Sequence, residues 1–108
     1  MPSVFGLTSA PFHRISRAKT GKFPEAVQWA KETAGYINAS FISANVTAYF
    51  ELFGDVGAIH WYADLEDLAE VDRLNAWAVG DQGYQARLKN GADFFIEGST
   101  HDKLVQMI

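Results

Sequence analysis

Residues 44–64, ANVTAYFELFGDVGAIHWYAD, constrain the fold more than any other stretch of the chain. Two segments rich in aromatic and aliphatic residues, 44–53 and 57–64, flank the short glycine-bounded link GDVG. A link of this length between two apolar runs predicts an antiparallel β-hairpin. Because side chains alternate between the two faces of a strand, each strand of the hairpin presents one set of residues to each side of its sheet.

A turn centred between Asp55 and Val56 sets the register of this hairpin and sorts its side chains. It predicts two sets of facing residues: Leu52 with Ile59 and Phe50 with Trp61 on one face, and Glu51 with His60 and Tyr49 with Tyr62 on the other. The first face is apolar enough to be core. The second face places a carboxylate beside an imidazole among tyrosines.

The segment before the hairpin predicts a strand and a helix. A first strand is expected within residues 9–19, centred on residues 12–18. Pro24 suits the first turn of the helix that follows. Apolar residues then recur at helical spacing on one stripe, which predicts a helix with a single core-facing side: Phe23, Val27, Ala30, Ala34 and Ile37.

The segment after the hairpin predicts two further helices and the end of the sheet. One helix begins near Leu65 with Asp64 as its N-cap, and Leu68, Val71, Leu74 and Ala78 form its inward side. Gly80 interrupts it, and Asp81 caps a second short helix carrying Tyr84 and Leu88. Lys89 and a left-handed Gly91 end that helix. A fourth strand is predicted at residues 93–97 and a further extended tail at residues 101–108.

This order of elements, β-α-β-β-α-β, predicts an α+β ferredoxin-like fold with a four-stranded antiparallel sheet. Residues 9–108 form a single domain, and residues 1–8 are an N-terminal arm. Both helical regions cover one face of the sheet. The other face would carry the following residues, with one of Phe94 or Phe95: Tyr49, Glu51, His60 and Tyr62. So much aromatic surface is rarely left bare on a monomer. We therefore expect a homodimer that covers it.

Composition narrows the partners and the chemistry. The formal net charge is −4 without a basic cluster, which argues against nucleic acid. The absence of cysteine removes disulfides, thiolate nucleophiles and Cys-based metal sites. His13, His60 and His101 match no metal-binding signature, so no metal site is predicted. His101 with Asp102 is expected to cap a turn before the last strand. Without a signal peptide or a membrane-length apolar run, we expect a cytoplasmic protein with no membrane partner.

Three segments carry a resemblance to a known superfamily: FGDVGAIHWYADLEDL, LNAWAVGDQGYQARL and FFIEGSTHDKLV. With the element order, they resemble the dimeric α/β-barrel proteins, which include antibiotic-biosynthesis monooxygenases, haem-degrading monooxygenases and NIPSNAP-like domains. The chain looks most like uncharacterised bacterial members at the NIPSNAP-like edge. The resemblance implies a homodimer whose two sheets close around a shared lumen, with the tail after Gly98 at the subunit interface.

The same resemblance implies which residues would line a site. The haem-degrading members place an asparagine on strand one, a tryptophan in the second helical region and an iron-ligating histidine beyond it. Here Trp77, after Asn75, takes the tryptophan position, Arg14 the asparagine position and Arg87 the ligand position. Arginine stays protonated and cannot ligate iron. The resemblance therefore implies no haem and no other cofactor, and leaves cofactor-independent monooxygenases as the enzymatic relatives.

Two function classes follow. In the first, the lumen binds a small apolar or aromatic ligand, with His60 as a catalytic base that Glu51 orients for cofactor-independent oxygenation or isomerisation. Tyr49, Tyr62 and Trp77 would be its walls, and Asn75 and Arg14 would contact the ligand. Arg14 and Arg17, near the start of strand one, are candidates to hold an anionic ligand. In the second class, the protein is a non-catalytic dimer whose lumen is filled by side chains, and the Glu51–His60 pair only seals the interface.

Overall fold

The structure is a computed structural model that describes residues 10–108, so the predicted arm over residues 1–8 lies outside the described residues. Four strands and three helices follow one another along the chain in this order: β1 (Ala10–Arg17), α1 (Phe23–Ser40), β2 (Val46–Phe50), β3 (Ala58–Leu65), α2 (Leu68–Gly80), α3 (Gln82–Gly91) and β4 (His101–Leu104). Short 3₁₀ turns occupy Ile42–Ala44 and Ala92–Phe94.

The four strands form one antiparallel sheet in the order β2-β3-β1-β4. The first and third strands lie in the centre, and the second and fourth lie at the edges. This order together with the helical crossovers is the ferredoxin-like α+β arrangement, so the predicted fold class is confirmed. Helix α1 is tied to the sheet by Asn38, whose amide donates to the carbonyl of Val46 at 2.9 Å and accepts from its N–H at 2.7 Å.

The core lies between the sheet and the helices. Along β3, burial alternates as expected for a strand with one covered face: Ile59, Trp61, Ala63 and Leu65 are buried, whereas Tyr62 and Asp64 are exposed. Small residues of α1 pack closely on this face, with Ala26, Ala30 and Ala34 all buried. We call this covered side of the sheet the helix face and the opposite side the open face.

The predicted register of the hairpin is wrong by two residues. The structure pairs Phe50 with Ile59 and Tyr49 with His60, and Tyr62 faces Thr47. A shift of two leaves the side chains within the two strands on their predicted faces because the strand repeat is two residues. Leu52, predicted to face Ile59 on the core side, instead lies in the loop beyond β2 and is 72% exposed. The cause is a wider loop over residues 51–57 in place of the tight GDVG turn, closed by two glycines with positive φ, Gly54 (96°) and Gly57 (99°).

The second helix begins later than predicted. Leu65 is the last residue of β3 and only 1% exposed, and Asp64 pairs with Pro11 within the sheet. The N-cap of α2 is Asp67, whose carboxylate accepts the N–H of Glu70 at 2.8 Å. Of the predicted inward residues of α2, Val71 and Leu74 pack on the core, whereas Leu68 is 47% exposed.

The short third helix follows the prediction at its start and departs from it at its end. Asp81 caps α3 by accepting the N–H of Tyr84 at 2.9 Å. Gly91 is right-handed, with φ −87° and ψ −11°, and the chain continues into the 3₁₀ turn at Ala92–Phe94. The predicted left-handed stop at Gly91 is therefore wrong.

The predicted fourth strand at residues 93–97 is also wrong. Phe94 and Phe95 are adjacent, yet both pack against the core, whereas consecutive residues of a strand point to opposite faces. Within residues 93–97, the sole pairing is an isolated β-bridge between Phe95 and Ala18. The true fourth strand is His101–Leu104, within the predicted extended tail, and all four of its residues are exposed. Neither Phe94 nor Phe95 therefore joins the tyrosines of the open face.

Candidate functional site

The open face holds a hydrogen-bonded chain of two imidazoles and a carboxylate. The Nε2 atom of His60 lies 2.7 Å from Oε1 of Glu51, and its Nδ1 atom lies 2.8 Å from Nε2 of His13. His13 comes from β1, opposite Tyr62 in the register, and its ring stacks on the Tyr62 ring at a centroid distance of 4.4 Å. The predicted Glu51–His60 contact is present, and the structure adds His13 to it.

Glu51 also forms a hydrogen bond within the hairpin loop. Its Oε2 atom accepts the backbone N–H of Asp55 at 2.6 Å, while its Oε1 atom contacts His60. Arg17 closes the same loop through an ion pair with Asp55 and a 3.3 Å hydrogen bond to the carbonyl of Val56. The carboxylate therefore connects the imidazole chain to the conformation of residues 51–57. The cationic group of Arg17, considered as an anion ligand from the sequence, is occupied by this loop.

The chain His13–His60–Glu51 can hold and pass a proton. Since a carboxylate only accepts, His60 donates to Glu51 through Nε2 and accepts from His13 through Nδ1 when both rings are neutral. Partial burial lowers the pKa of His13, and the nearby His60 and Lys103 lower it further. The lowered pKa favours the neutral form of His13, which is the form that donates through Nε2 to His60 and can accept a proton at Nδ1.

Tyr49 and Tyr62 flank this chain. Their rings lie edge to face with a centroid distance of 5.6 Å, and the side chains are 55% and 43% exposed. The predicted walls and the predicted acid–base pair therefore share one face. In a single copy of the protein, these side chains form an exposed surface.

The other predicted ligand contacts lie on the opposite side of the sheet. A cavity of about 730 Å³ separates the helix face from α2, α3 and the segment that leads to β4, and its lining includes Arg14, Asn75 and Trp77. All three tryptophans of the chain line it, since Trp29 and Trp61 join Trp77. Because Arg14 pairs with Trp61 across the strands, it cannot share a face with His60. The predicted site residues thus form two groups, one on each side of the sheet.

Arg14 is a polar residue of the cavity lining that forms a bidentate ion pair. Its Nε and Nη2 atoms donate to the two carboxylate oxygens of Asp102 at 2.7 and 2.9 Å. Asp102 lies on β4 directly opposite Arg14, so the prediction that His101 and Asp102 cap a turn before the last strand is wrong. The hydrogen bonds to Asp102 raise the pKa of Arg14 above its usual value although burial opposes this.

Aromatic rings form part of the cavity wall and pack on one another behind it. Trp77 lies 5.3 Å from the ring of Tyr84 and 6.1 Å from that of Phe41 between centroids. Asn75 is exposed at the helix α2 side of the lining. Arg87, at the position where the resemblance placed an iron ligand, stacks its guanidinium on Tyr36 at 4.8 Å. That position holds a packed cation, which does not fit a haem ligand.

The sequence did not predict the observed roles of three residues at these sites. His13 was considered only as a metal ligand, Asp102 only as a cap, and Thr33 not at all. Thr33 lies on the inner side of α1, is 3% exposed and lines the cavity. The alternation of β1 could have placed His13 beside Tyr62, but the pairing of Asp102 with Arg14 and the burial of Thr33 depend on how distant segments pack.

Two classes of feature are not found in the part of the chain that the structure describes. Residues 10–108 contain no group of three or more His, Asp or Glu side chains arranged to hold a metal ion. Within the same residues, no helix is both long and apolar enough to cross a bilayer.

The fold and the two-sided arrangement define the class of the protein as a ferredoxin-like α+β protein with a cavity under its helices. No protein-family model and no curated protein matches the chain. Solved structures do match it. It resembles a NIPSNAP family protein from Agrobacterium tumefaciens at 18% identity, covering 94% of this chain and 87% of the other with a TM-score of 0.77.

Two further structures extend this comparison. An uncharacterised NIPSNAP-like domain protein from Burkholderia xenovorans is 12% identical over 94% of this chain and 87% of the other, with a TM-score of 0.78. A variant of SnoaB, a cofactor-independent oxygenase from Streptomyces nogalater, is 14% identical over 92% of each chain, with a TM-score of 0.68. The chain therefore has the same ferredoxin-like fold as the NIPSNAP-like proteins that its sequence resembles.

Proposed function

We propose that the protein binds a small, largely apolar aromatic ligand in the cavity beneath its helices. The observation that carries this proposal is the cavity itself: about 730 Å³, lined by every tryptophan of the chain and by the Arg14–Asp102 pair. Its volume lies within the range of roughly 300–1,000 Å³ typical of small-molecule sites. Aromatic walls with a few polar groups are the usual lining of such sites.

Intrinsic fluorescence tests this function directly, because all three tryptophans border the cavity. Titration with 2-naphthol is expected to quench their emission in a saturable manner. Ala78 lines the cavity and Ala76 is exposed on the same helix, so Ala78→Phe fills the site and Ala76→Phe is the matched control. Loss of quenching in the first variant only supports the proposal. Quenching that is absent in the unmodified protein, or unchanged in Ala78→Phe, contradicts it.

A homodimer formed through the open face is part of the proposed function. Tyr49 and Tyr62 expose about half of their surface there, and Val105 is 49% exposed just beyond β4. Sedimentation at micromolar concentration is expected to give a dimer. Tyr62→Asp should give a monomer, whereas Val79→Asp, which changes a 71% exposed residue on α2, should not. A clean monomer of the unmodified protein would exclude this assembly.

A second candidate function is favoured by the His13–His60–Glu51 chain. Between two open faces, His60 would take the proton from a phenol or enol and Glu51 would orient its ring, which begins cofactor-independent oxygenation or isomerisation. This places the chemistry in a lumen shared by two copies. His60→Ala should then abolish oxygen consumption or isomerisation with phenolic substrates while the protein stays folded and dimeric. Loss of the dimer in this variant would support a structural role for the pair.

A further inference from the structure

Both ring nitrogens of His60 are already hydrogen-bonded. Its Nε2 atom contacts Oε1 of Glu51 at 2.7 Å, and its Nδ1 atom contacts Nε2 of His13 at 2.8 Å. The side chain of His60 is only 14% exposed. A general base needs a free nitrogen within hydrogen-bond reach of the proton that it removes. His60 therefore cannot meet a ligand directly unless it gives up one of these two bonds.

His13 has the free nitrogen that His60 lacks. Among residues 10–108, no hydrogen bond reaches Nδ1 of His13, and this atom is accessible to solvent. Because His60 donates to Glu51 and accepts from His13, the proton of neutral His13 lies on Nε2 and its Nδ1 atom has an available lone pair. The free acceptor of the hydrogen-bonded chain is therefore at its His13 end.

The surroundings of the two imidazoles favour a positive charge on His60 over one on His13. Glu51 contacts His60, whereas Lys103 lies directly opposite His13 in the pairing of β1 with β4. Burial, His60 and Lys103 all lower the pKa of His13. A proton accepted by His13 is therefore more stable on His60, beside the carboxylate, and the hydrogen bond between the two rings connects these positions.

We infer that Nδ1 of His13 is the general base of the open face and that His60 receives the proton through it. When a phenol or enol gives up its proton, its O–H bond breaks and an N–H bond forms at Nδ1 of His13. The proton on Nε2 of His13 moves to Nδ1 of His60. His13 ends neutral with its proton on Nδ1, His60 becomes an imidazolium beside the carboxylate of Glu51, and the ligand becomes an anion.

This inference rests on the second candidate function, in which the open face begins its chemistry by removing a proton. It assigns the contact with the ligand to His13 and the storage of the proton to His60. Lys103, opposite His13, would lie near the anion that remains on the ligand. The ligand class is a phenol or enol whose acidic oxygen reaches the solvent-accessible Nδ1 of His13.

The ionisation of 4-nitrophenol measures this proton transfer without any turnover, because the anion of this probe is yellow and its neutral form is not. At a pH about one unit below the pKa of the free probe, the unmodified protein should raise the ratio of anion to neutral probe about tenfold in a saturable manner. His13→Ala should abolish this rise. If His60 itself met the probe, His13→Ala would free its Nδ1 atom, and the rise would persist or increase.

Two further variants distinguish the role of His13 from a general loss of structure. His101→Ala removes an exposed histidine of β4 and should leave the rise unchanged. His13→Gln keeps a donor near His60 but has no basic nitrogen, so it should lose the rise. Circular dichroism verifies that each variant is folded. A rise that persists in His13→Gln overturns the assignment.

Nitrogen-15 NMR of the histidine rings locates the protons without any substitution. In the free protein, Nδ1 of His13 should be unprotonated. Saturation with 4-nitrophenol should move the proton of His13 from Nε2 to Nδ1 and protonate both nitrogens of His60. Protonation of His60 while the proton of His13 stays on Nε2 would overturn the transfer through His13.

The outcomes separate this inference from the function on which it rests. If the unmodified protein and His13→Ala ionise the probe equally, the open face still removes protons, and only the assignment to His13 fails. If the unmodified protein does not raise the anion ratio, the inference and the second candidate function both fail. A rise that requires His13 and moves its proton to Nδ1 supports both.

Discussion

The Nε2 atom of His13 lies 2.8 Å from the Nδ1 atom of His60, and the two rings are parallel to within 8°. A hydrogen bond between these two nitrogens requires one proton between them, and Nε2 of His60 contacts Glu51 on the other side of the ring. Protonating both rings would place a hydrogen on each of the facing nitrogens, so the bond between them would be lost. The pair therefore favours states with at most one extra proton.

Stability should fall as the pH is lowered below about 6.5, the ordinary histidine pKa. Because burial, His60 and Lys103 lower the pKa of His13 in the folded state, the unfolded chain binds more protons in this range, and acid favours unfolding. The contribution is fully present above pH 6.5 and is lost as the pH falls towards the lowered folded pKa. Urea unfolding between pH 7.5 and 5.5 measures it.

His13→Gln keeps a donor near His60 but does not titrate, so its unfolding free energy should depend less on pH over this interval. His101→Gln is the matched control, since it replaces an exposed histidine of β4. An equal pH dependence in His13→Gln and the unmodified protein would show that His13 is not the group responsible.

Glu51→Ala should destabilise the protein by about 1–2 kcal/mol, because it removes an acceptor for both the Asp55 N–H and His60. Urea unfolding gives the free energy, and amide hydrogen exchange at Asp55 should become faster. Glu32→Ala replaces an exposed carboxylate of α1 and should change stability by less than about 0.5 kcal/mol. Unchanged exchange at Asp55 would mean that Glu51 does not hold the loop.

Two glycine-to-alanine substitutions should change stability in opposite directions. A Cβ atom at Gly91 would overlap the indole of Trp29, whose Nε1–H donates to the carbonyl of Arg87 at 2.9 Å. Gly91→Ala should therefore cost about 1–3 kcal/mol. Gly35 lies within α1 with no atom within 4 Å of an added Cβ, so Gly35→Ala should gain about 0.5–1 kcal/mol. Thermal unfolding followed by circular dichroism compares the stabilities of the two variants. Changes in stability of the same sign would refute the packing of α3 on Trp29.

The N-cap of α2 distinguishes the predicted start of this helix from the observed one. Asp67→Ala should lower stability by about 1 kcal/mol, because the N–H of Glu70 loses its acceptor. Asp64→Ala, at the cap predicted from the sequence, should have little effect on the helix since Asp64 is an exposed residue of β3. Chemical unfolding of both variants measures the two losses of stability. A larger loss in Asp64→Ala would favour the earlier start of α2 that the sequence predicted.

The faces of the hairpin were predictable although its register was not. Tyr49, Glu51, His60 and Tyr62 share the open face as expected, because alternation is a local property that a shift of two residues preserves. The register itself depended on the conformation of the loop over residues 51–57, in which the carboxylate of Glu51 accepts the backbone N–H of Asp55. Similarly, β4 consists of exposed, mostly polar residues, so no alternation of apolar residues marked it as a strand.

The sequence by itself determined the α+β class, the order of its main helices and strands, and the face of each residue within the two hairpin strands, because periodicity and capping act over a few residues. Only the tertiary structure decided that Arg14 and Trp77 lie across the sheet from His60. It also decided that Asp102 neutralises Arg14 and that His13 completes the imidazole chain. These relationships join residues that are far apart in the chain, and strand order and packing create them.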